Sequence, residues 1–325
     1  MSSATAATSG LTETERFLFD LQGYVVLRKA IDATRVAAMN DVLSEKLEEG
    51  NNVRSRDNEV LKNTAADSVL RGEDGARVDI GGFVGWEGPG GDAFRSLLVD
   101  PVIGPKMEDL LGKGYRLDHQ PLIIVQNPGS EGFSLHGGPI NSEGELNTTL
   151  QYRSKGGKIW TSLLAVAVHL VDADEGAGGF AVVPGSHKLD IPPPPGFADG
   201  NSDAFEAAVT QPAVKAGDVV FFSEATIHGA LPWRADHQRR LALFRFAPAT
   251  NAYGRGYLES FGLDMDRPEF ADNPALRAVL SPPFATRLDR EVVDSFDQRS
   301  VCVVGGGRSS GKKDHDQAVF GTQYF

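Results

Sequence analysis

The chain has 325 residues, of which 41% are hydrophobic and 23% charged, with a formal net charge of −12 and a pI of about 5.1. This length buries a real core, and the acidic balance argues against sequence-independent binding of DNA or RNA, which needs clustered lysine and arginine. The single cysteine, Cys302, excludes an intrachain disulfide and a cysteine-based zinc site. The opening MSSATAATSG lacks the features of a signal peptide, and no apolar run approaches the ~20 residues that cross a bilayer. We therefore expect a cytoplasmic protein.

The first third of the chain predicts helices around one strand. Thr12 and Glu15 form a capping box for a helix that ends near Leu21. The apolar run at 23–27 predicts a strand, and Asp32 is the N-cap of a second helix. A further helix is predicted from Asp100 to Leu111.

From Leu117 onwards the pattern changes to short apolar runs separated by Gly, Pro, Asn and Asp. Such spacing predicts a β-sandwich or barrel. The runs are Leu122–Val125, Lys158–Val171, Phe180–Val183, Val219–Phe222 and Leu241–Phe246.

The domain organisation is predicted from the changes in composition and in the pattern of apolar residues along the chain. Residues 1–10 are small and polar and predict a disordered lead, and residues 11–290 predict a single domain. Within that domain we expect two insertions, an irregular one at 50–95 and a Pro-rich one at 190–203. Residues 291–325, with their Gly- and Ser-rich stretch, predict a C-terminal tail.

Two histidines and an arginine stand at informative spacing. His136 follows a predicted strand, and His228 comes 92 residues later, after another strand (228 − 136 = 92). Arg239 lies 11 residues further on (239 − 228 = 11), at the start of a third strand. Two imidazoles bind Fe(II) and leave positions for a 2-oxo acid and O2. A guanidinium fork clamps the far carboxylate of 2-oxoglutarate.

The same residues carry a family resemblance. The chain resembles the phytanoyl-CoA dioxygenase family of Fe(II)/2-oxoglutarate oxygenases, over roughly residues 15–250. The matching segments, besides His136, are "LQGYVVLRKAID" (21–32), "GGFAVVPGSHK" (178–188), "VKAGDVVFF" (214–222), "IHGALPW" (227–233) and "QRRLALFRFAP" (238–248). The resemblance implies a mainly β fold with flanking helices, built on a double-stranded β-helix, the cupin-like jelly roll.

The resemblance also implies roles at single positions. His136 and His228 would bind the iron, and Arg239, or its neighbour Arg240, would clamp 2-oxoglutarate, with O2 as co-substrate. Thr161 lies on a strand where family members often place co-substrate contacts. Gln126, at the end of the strand before the His136 loop, can hydrogen-bond the co-substrate or a substrate, although a turn residue before Pro128 is an equally good explanation. Glu224, outside the matched motifs, can orient a ligand or simply end a strand. Arg245 shares the strand parity of Arg239 and can face the pocket, or can be an arginine at the edge of the core that is paired with a carboxylate.

One position departs from the family pattern. The family reads His-x-Asp, and residue 138 here is Gly. On a strand, residues i and i+2 share a face, so Gly138 removes the carboxylate that completes the iron site. The radical halogenases of this superfamily have His-x-Gly or His-x-Ala, and chloride takes the open position beside the metal. We therefore prefer chlorination of an unactivated C–H bond, with Gly138 counted among the catalytic positions.

Other readings stay open. Glu143 or Glu145, in the loop after Gly138, can return a carboxylate to the metal, and the protein is then a hydroxylase. The double glycine can also simply make a tight turn. A third reading is an inactive metal site or a non-catalytic jelly roll that binds a metabolite.

The substrate is expected to be a small molecule. Basic residues are scattered between 54 and 77 in this acidic chain, at Arg54, Arg56, Lys62, Arg71 and Arg77. If they line the mouth of a pocket, they suit an anionic group, as in a nucleotide or an amino-acid-like metabolite. They are otherwise partners of surface ion pairs. We expect neither a nucleic-acid polymer nor a membrane as partner.

Overall fold

A computed structural model of the chain describes residues 10–49, the main chain of 54–57, and residues 68–73, 77–254, 262–284, 289–305 and 309–322. Among these residues, no helix combines the length and the apolar character needed to cross a bilayer. The expected disordered lead, 1–10, lies outside the described residues except for Gly10.

Two facing antiparallel sheets form the core. The strands are β1 (Tyr24–Leu27), β2 (Arg54–Asp57), β3 (Val78–Gly81), β4 (Arg116–Leu117), β5 (Leu122–Gln126), β6 (Phe133–His136), β7 (Tyr152–Lys155), β8 (Lys158–Thr161), β9 (Leu164–His169), β10 (Gly179–Val182), β11 (Val219–Ser223), β12 (His228–Leu231), β13 (Arg239–Ala247), β14 (Arg290–Ser295) and β15 (Ser300–Val304). The major sheet has the order β1-β11-β9-β13-β5-β3-β2, with β4 also paired to β13. The minor sheet has the order β10-β12-β6.

Side chains of the major sheet alternate between its two faces, and each face contributes to a different hydrophobic cluster. Leu164, Val166 and Val168 of β9 belong to the larger hydrophobic cluster, whereas Ala165 and Ala167 face the space between the sheets. Successive side chains of a strand point to opposite faces of the sheet, so alternate residues of β9 enter different hydrophobic clusters. This arrangement confirms the expected jelly roll with flanking helices.

Most of the helices in the described part of the chain bury side chains in the larger hydrophobic cluster on the outer face of the major sheet, whereas the short helix at 204–208 packs against the minor sheet. The helices are α1 (Glu13–Gln22), α2 (Ala33–Glu49), α3 (Gly88–Ser96), α4 (Gly104–Leu111), α5 (Ala204–Ala208), α6 (Pro268–Ala271), α7 (Pro274–Leu280) and α8 (Ser310–Phe320). The predicted capping box of α1 is present, with Thr12 and Glu15 bonded reciprocally. Phe19 of α1 and Met39 of α2 are fully buried in the larger cluster.

Two expected irregular regions are more ordered than their composition indicated. Within 50–95 lie β2, β3 and most of α3, with Phe83 and Phe94 buried in the core. Within 291–325, most of β14 pairs with β15, and α8 follows. Val293 and Phe296 pack into the larger cluster, so this segment is not a free tail. Both regions are rich in Gly and Ser, so the sequence pattern did not reveal the few apolar residues that pack them against the core.

The Pro-rich insertion and the short helix α5 that follows it cover the minor sheet. Phe197 and Phe205 are buried against Leu135 of β6 and Ile227, which precedes β12. The carboxylate of Asp199 accepts a hydrogen bond from the Ser134 hydroxyl at 2.6 Å. The insertion therefore supports the two strands that carry the histidines.

Candidate metal centre and co-substrate cavity

His136 and His228 are direct neighbours across the minor sheet. His136 ends β6, His228 begins β12, and the antiparallel pairing sets them opposite each other. Their ring centroids lie 4.3 Å apart with a 54° angle between the planes. Cross-strand partners project from the same face of a sheet, so the register alone brings together two residues 92 positions apart.

Main-chain carbonyls fix both imidazoles. Nδ1 of His136 lies 3.0 Å from the carbonyl oxygen of Ser134, and Nδ1 of His228 lies 2.7 Å from that of Thr226. A neutral imidazole that donates from Nδ1 has its lone pair on Nε2, which is the usual orientation of a metal-binding histidine. His228 is buried, and burial above all lowers its pKa to about 4, so its neutral form prevails near neutral pH.

An acidic side chain lies beside the pair. Oε2 of Glu224 is 3.5 Å from Nε2 of His228, and Oε1 accepts a hydrogen bond from Nε of Arg245 at 2.6 Å. One ligand atom each from His136, His228 and Glu224 lie within 4.8 Å of one another. Burial opposes ionisation of Glu224, but the charge and hydrogen bond of Arg245, together with the nearby His228 and His136, outweigh it and lower the pKa of Glu224 to about 2.

The donor set fits a divalent iron. Two imidazole nitrogens and one carboxylate oxygen are the ligands of non-haem Fe(II) sites that keep open positions. The residues that would hold the ion are His136 and His228, and Glu224 is the acidic side chain beside them.

Gly138 does not continue the strand. β6 ends at His136, and Gly137 and Gly138 have φ values of +85° and +92°, outside the range that side chains readily adopt. A Cβ at position 138 would lie 3.0 Å from Cγ1 of Ile227. The rule that i and i+2 share a face therefore does not apply here, and a side chain at 138 starts toward Ile227.

The alternative carboxylates of the sequence lie elsewhere. Glu143 and Glu145 are exposed in the loop after β6, and their main-chain N–H groups both donate to the side chain of Asn141. The group of side chains that could hold a metal ion contains Glu224 but neither Glu143 nor Glu145.

Arg239 and Gln126 form the second polar pair of the site. They are opposite each other in the β13–β5 register, both are buried, and Nη1 of Arg239 donates to the side-chain oxygen of Gln126. Among the described residues, Nε of Arg239 has no hydrogen-bond partner. Burial, followed by the charge of Arg77, lowers the pKa of Arg239 to about 9. A buried guanidinium with an unused N–H favours an anion such as a carboxylate.

Strand parity separates Arg239 from Arg240. Arg240 points to the opposite face, where Nη1 donates to the Ser44 hydroxyl of α2 at 2.9 Å. Of the two arginines that the motif offers, Arg239 faces the space between the sheets. Thr161, the other expected co-substrate contact, is buried, and its hydroxyl is bonded to that of Ser223 at 2.7 Å, away from the cavity wall.

A cavity joins the two polar centres. Most of its wall is apolar, and its lining residues are Arg77, Leu122, Ile124, Phe133, His136, Ala167, Phe180, Phe222, His228, Gly229, Ala230, Arg239, Leu241, Leu243 and Arg245. An apolar pocket with a few convergent polar groups is the usual form of a small-molecule site.

The basic residues between 54 and 77 lie in different parts of the structure. Arg77 lines the cavity, pairs with Asp79 at 2.8 Å and lies over the Phe133 ring. Arg71 lines a separate surface groove. Lys62 and the side chains of Arg54 and Arg56 lie outside the described residues. The sequence missed Arg77 as an individual site residue because composition gave no sign of β3.

Comparisons with known proteins show the family and the fold of the chain. A family model described as phytanoyl-CoA dioxygenase (PhyH) matches residues 19–241. HygX from Streptomyces hygroscopicus, solved with nickel, 2-oxoglutarate and hygromycin B bound, is similar with a TM-score of 0.58 and 19% identity, over 75% of this chain and 90% of that chain. SnoK, a non-heme alpha ketoglutarate dependent carbocyclase from nogalamycin biosynthesis, gives a TM-score of 0.52 and 20% identity, over 81% and 94% of the chains. No curated protein matches. At these identities the likeness to the solved structures shows the fold.

Proposed function

Because this chain belongs to the phytanoyl-CoA dioxygenase family, we propose that it is an Fe(II)- and 2-oxoglutarate-dependent oxygenase that oxidises a C–H bond of a small molecule. His136 and His228 hold the iron, and Arg239 binds the far carboxylate of 2-oxoglutarate. The observation that carries the proposal is one cavity bordered both by two opposed imidazoles with Nδ1 engaged and by a buried arginine with an unused N–H.

The chain's own residues bind, orient and exclude water. The carbonyls of Ser134 and Thr226 hold the imidazoles so that Nε2 of each is available for the ion. Gln126 directs the guanidinium of Arg239 by its amide oxygen. Leu241 and Leu243, between Arg239 and Arg245 on the same face of β13, make the wall apolar and keep water from the substrate. When bound, iron and 2-oxoglutarate supply, with O2, the oxidising power for the C–H bond.

We favour oxygen insertion over chlorination as the outcome. Chlorination requires a position beside the metal that chloride can take, and the proposal for it rests on Gly138 alone. The carboxylate of Glu224, 3.5 Å from Nε2 of His228, competes for that position and already carries the negative charge that chloride would bring. Radical halogenation with bound chloride remains the second candidate, because the residue that the family uses as carboxylate ligand is absent at 138.

The substrate is proposed to be a largely apolar small molecule with an anionic group. The apolar wall of the cavity supports the first property, and Arg77 beside Phe133 supports the second. HygX has been solved with hygromycin B, which is a small molecule bound by a protein of this fold.

The test is an anaerobic titration of the metal-free protein with Fe(II) and 2-oxoglutarate. A weak visible charge-transfer band is expected, and it should be absent when succinate replaces 2-oxoglutarate. Absence of the band in both cases contradicts the proposal and favours a binding module. Addition of bromide separates the two outcomes: a shifted band supports halogenation, and an unchanged band supports oxygen insertion. Mass spectrometry of the product then decides between an added oxygen and an added halogen.

A further inference from the structure

We infer that Glu224 is the carboxylate ligand of the metal and that Arg245 positions it, so that this chain supplies its acidic ligand from β11–β12 instead of from position 138. The inference rests on the proposed function, because it concerns the same iron. It departs from the His-x-Asp pattern, in which the carboxylate follows the first histidine by two residues.

The first argument is the arrangement of electron pairs. Both imidazoles engage a carbonyl oxygen through Nδ1, at 3.0 Å for His136 and 2.7 Å for His228, and therefore have lone pairs on Nε2. The Nε2 atom of His228 lies 3.5 Å from Oε2 of Glu224, which is also an acceptor. Acceptors that face each other in a buried place repel unless a cation lies between them. A metal ion shared by the three residues satisfies all of the lone pairs.

The second argument is distance. Two ligand atoms each about 2.1 Å from an ion and at right angles to one another are about 3 Å apart. The three candidate atoms of His136, His228 and Glu224 lie within 4.8 Å of one another, and one pair is already at 3.5 Å. Closing the set around an ion requires only small side-chain movements.

The third argument is how Arg245 holds the carboxylate. Its Nε donates to Oε1 of Glu224 at 2.6 Å, while its Nη1 lies 3.5 Å from Nε2 of His119. Arg245 therefore engages one carboxylate oxygen and leaves Oε2 on the side of His228. A ligand carboxylate that is itself hydrogen-bonded is the usual arrangement around a protein-bound metal, because the outer partner fixes its orientation.

The fourth argument concerns position 138. Position 138 has a φ of +92°, and a Cβ there would lie 3.0 Å from Cγ1 of Ile227, so an aspartate would be strained and would start against Ile227. The backbone therefore does not present position 138 as the missing ligand. Because Glu224 supplies the carboxylate from another element, position 138 needs no acidic side chain, and the turn at 137–138 can be tight.

The experiment measures Ni²⁺ binding by calorimetry in the full chain, with Glu224→Ala, Glu224→Gln and the control Glu145→Gln, which alters an exposed acid of the loop after β6. Glu224→Gln retains an acceptor for Arg245, so it guards against loss of folding, which circular dichroism monitors. Both Glu224 variants should bind Ni²⁺ more than about 100-fold more weakly than wild type, a larger loss than for residues that only orient a ligand, and the control should be unchanged. Equal affinity in wild type and Glu224→Gln overturns the inference.

A second readout separates a ligand from a residue that merely orients one. With Co²⁺ and saturating 2-oxoglutarate, bromide should bind at least tenfold more tightly to Glu224→Ala than to wild type, because a coordination position becomes vacant. Unaltered bromide affinity argues against Glu224 as ligand.

A crystal of the wild-type protein with Ni²⁺ gives the result directly and needs no variant. A Glu224 oxygen within about 2.2 Å of the ion is expected, and one beyond about 3 Å overturns the inference. If the wild type binds neither Ni²⁺ nor Fe(II) with 2-oxoglutarate, the proposed function itself fails. If both imidazoles hold the ion while Glu224 remains on Arg245 alone, only the assignment of Glu224 fails.

Discussion

Arg245 donates from Nε to one oxygen of Glu224 at 2.6 Å, and the other oxygen of that carboxylate lies 3.5 Å from Nε2 of His228. A residue of β13 thus contacts the candidate metal centre through a residue of the β11–β12 turn. This contact joins the major sheet, which carries the arginines, to the minor sheet, which carries the histidines.

Replacement of Arg245 should weaken metal binding without abolishing it. In Arg245→Gln, Glu224 loses the partner that fixes its orientation, and Ni²⁺ affinity should fall about 10- to 100-fold, as for other residues that orient ligands. Calorimetry with Ni²⁺ checks this, with the exposed Arg234→Gln as matched control. Wild-type affinity in Arg245→Gln would show that Glu224 does not depend on this ion pair.

Arg239 and Arg240 should differ sharply in their effect on 2-oxoglutarate. Arg239→Gln removes the buried cation from the cavity, and the dissociation constant for 2-oxoglutarate should rise about 100-fold, as loss of a buried charged pair costs several kcal/mol. Arg240→Gln changes the opposite face of the same strand, where the side chain bonds Ser44, and should leave 2-oxoglutarate affinity unchanged. Quenching of the intrinsic fluorescence on addition of 2-oxoglutarate measures both. Similar losses in the two variants would contradict the assigned parity.

Gly138→Asp should destabilise the protein and not create a better metal site. An aspartate at a φ of +92° is strained by about 1–3 kcal/mol, and its Cβ would contact Ile227 at 3.0 Å. The free energy of unfolding, from urea titration of the metal-free variant, should fall by that amount, with Ni²⁺ affinity no higher than in wild type. A gain in Ni²⁺ affinity would mean that position 138 can turn toward the metal after all.

Acid should destabilise the metal-free protein through His169, a buried residue of β9. Burial, and then the charge of Arg239, lowers its pKa from 6.5 to about 3. The unfolded chain therefore binds more protons than the folded chain between pH 6.5 and about pH 3. The stabilising contribution is complete above pH 6.5 and is lost as the pH falls through this window. His187, with a pKa lowered to about 4 by burial, acts in the same direction.

The change His169→Gln tests this linkage. It should reduce the slope of unfolding free energy against pH between 6 and 4 by up to about 1.4 kcal/mol per pH unit, since one titrating group is removed. Urea unfolding at several pH values measures the slope, and His315→Gln, which changes an exposed imidazole of α8, is the control. An unaltered slope in His169→Gln would show that His169 is not the group responsible.

Local sequence patterns predicted many of the helices and strands and several of the site residues. Alternation along β13 predicted that Arg239 and Arg245 share a face, and both line the cavity. The capping box of Thr12 and Glu15 predicted the start of α1. Such features depend on neighbours within a few residues, so one sequence suffices to read them.

The regions between 50 and 95 and beyond 290 were harder to predict. Their few apolar residues, such as Phe83, Phe94, Val293 and Phe296, lie among Gly, Ser and charged residues, and the hydrophobic period is interrupted. Packing against the main core provides the order that local propensity does not provide.

The sequence by itself determined the chemistry available to this protein: two histidines, an arginine spaced for a dicarboxylate, and a glycine where the family has a carboxylate. Tertiary structure alone decided which acidic group lies beside the histidines. The β6–β12 register sets His136 against His228, the chain before β12 brings Glu224 to them, and the left-handed turn at Gly138 directs that position toward Ile227. Contacts between residues so distant in sequence depend on strand pairing and backbone direction, which no local pattern specifies.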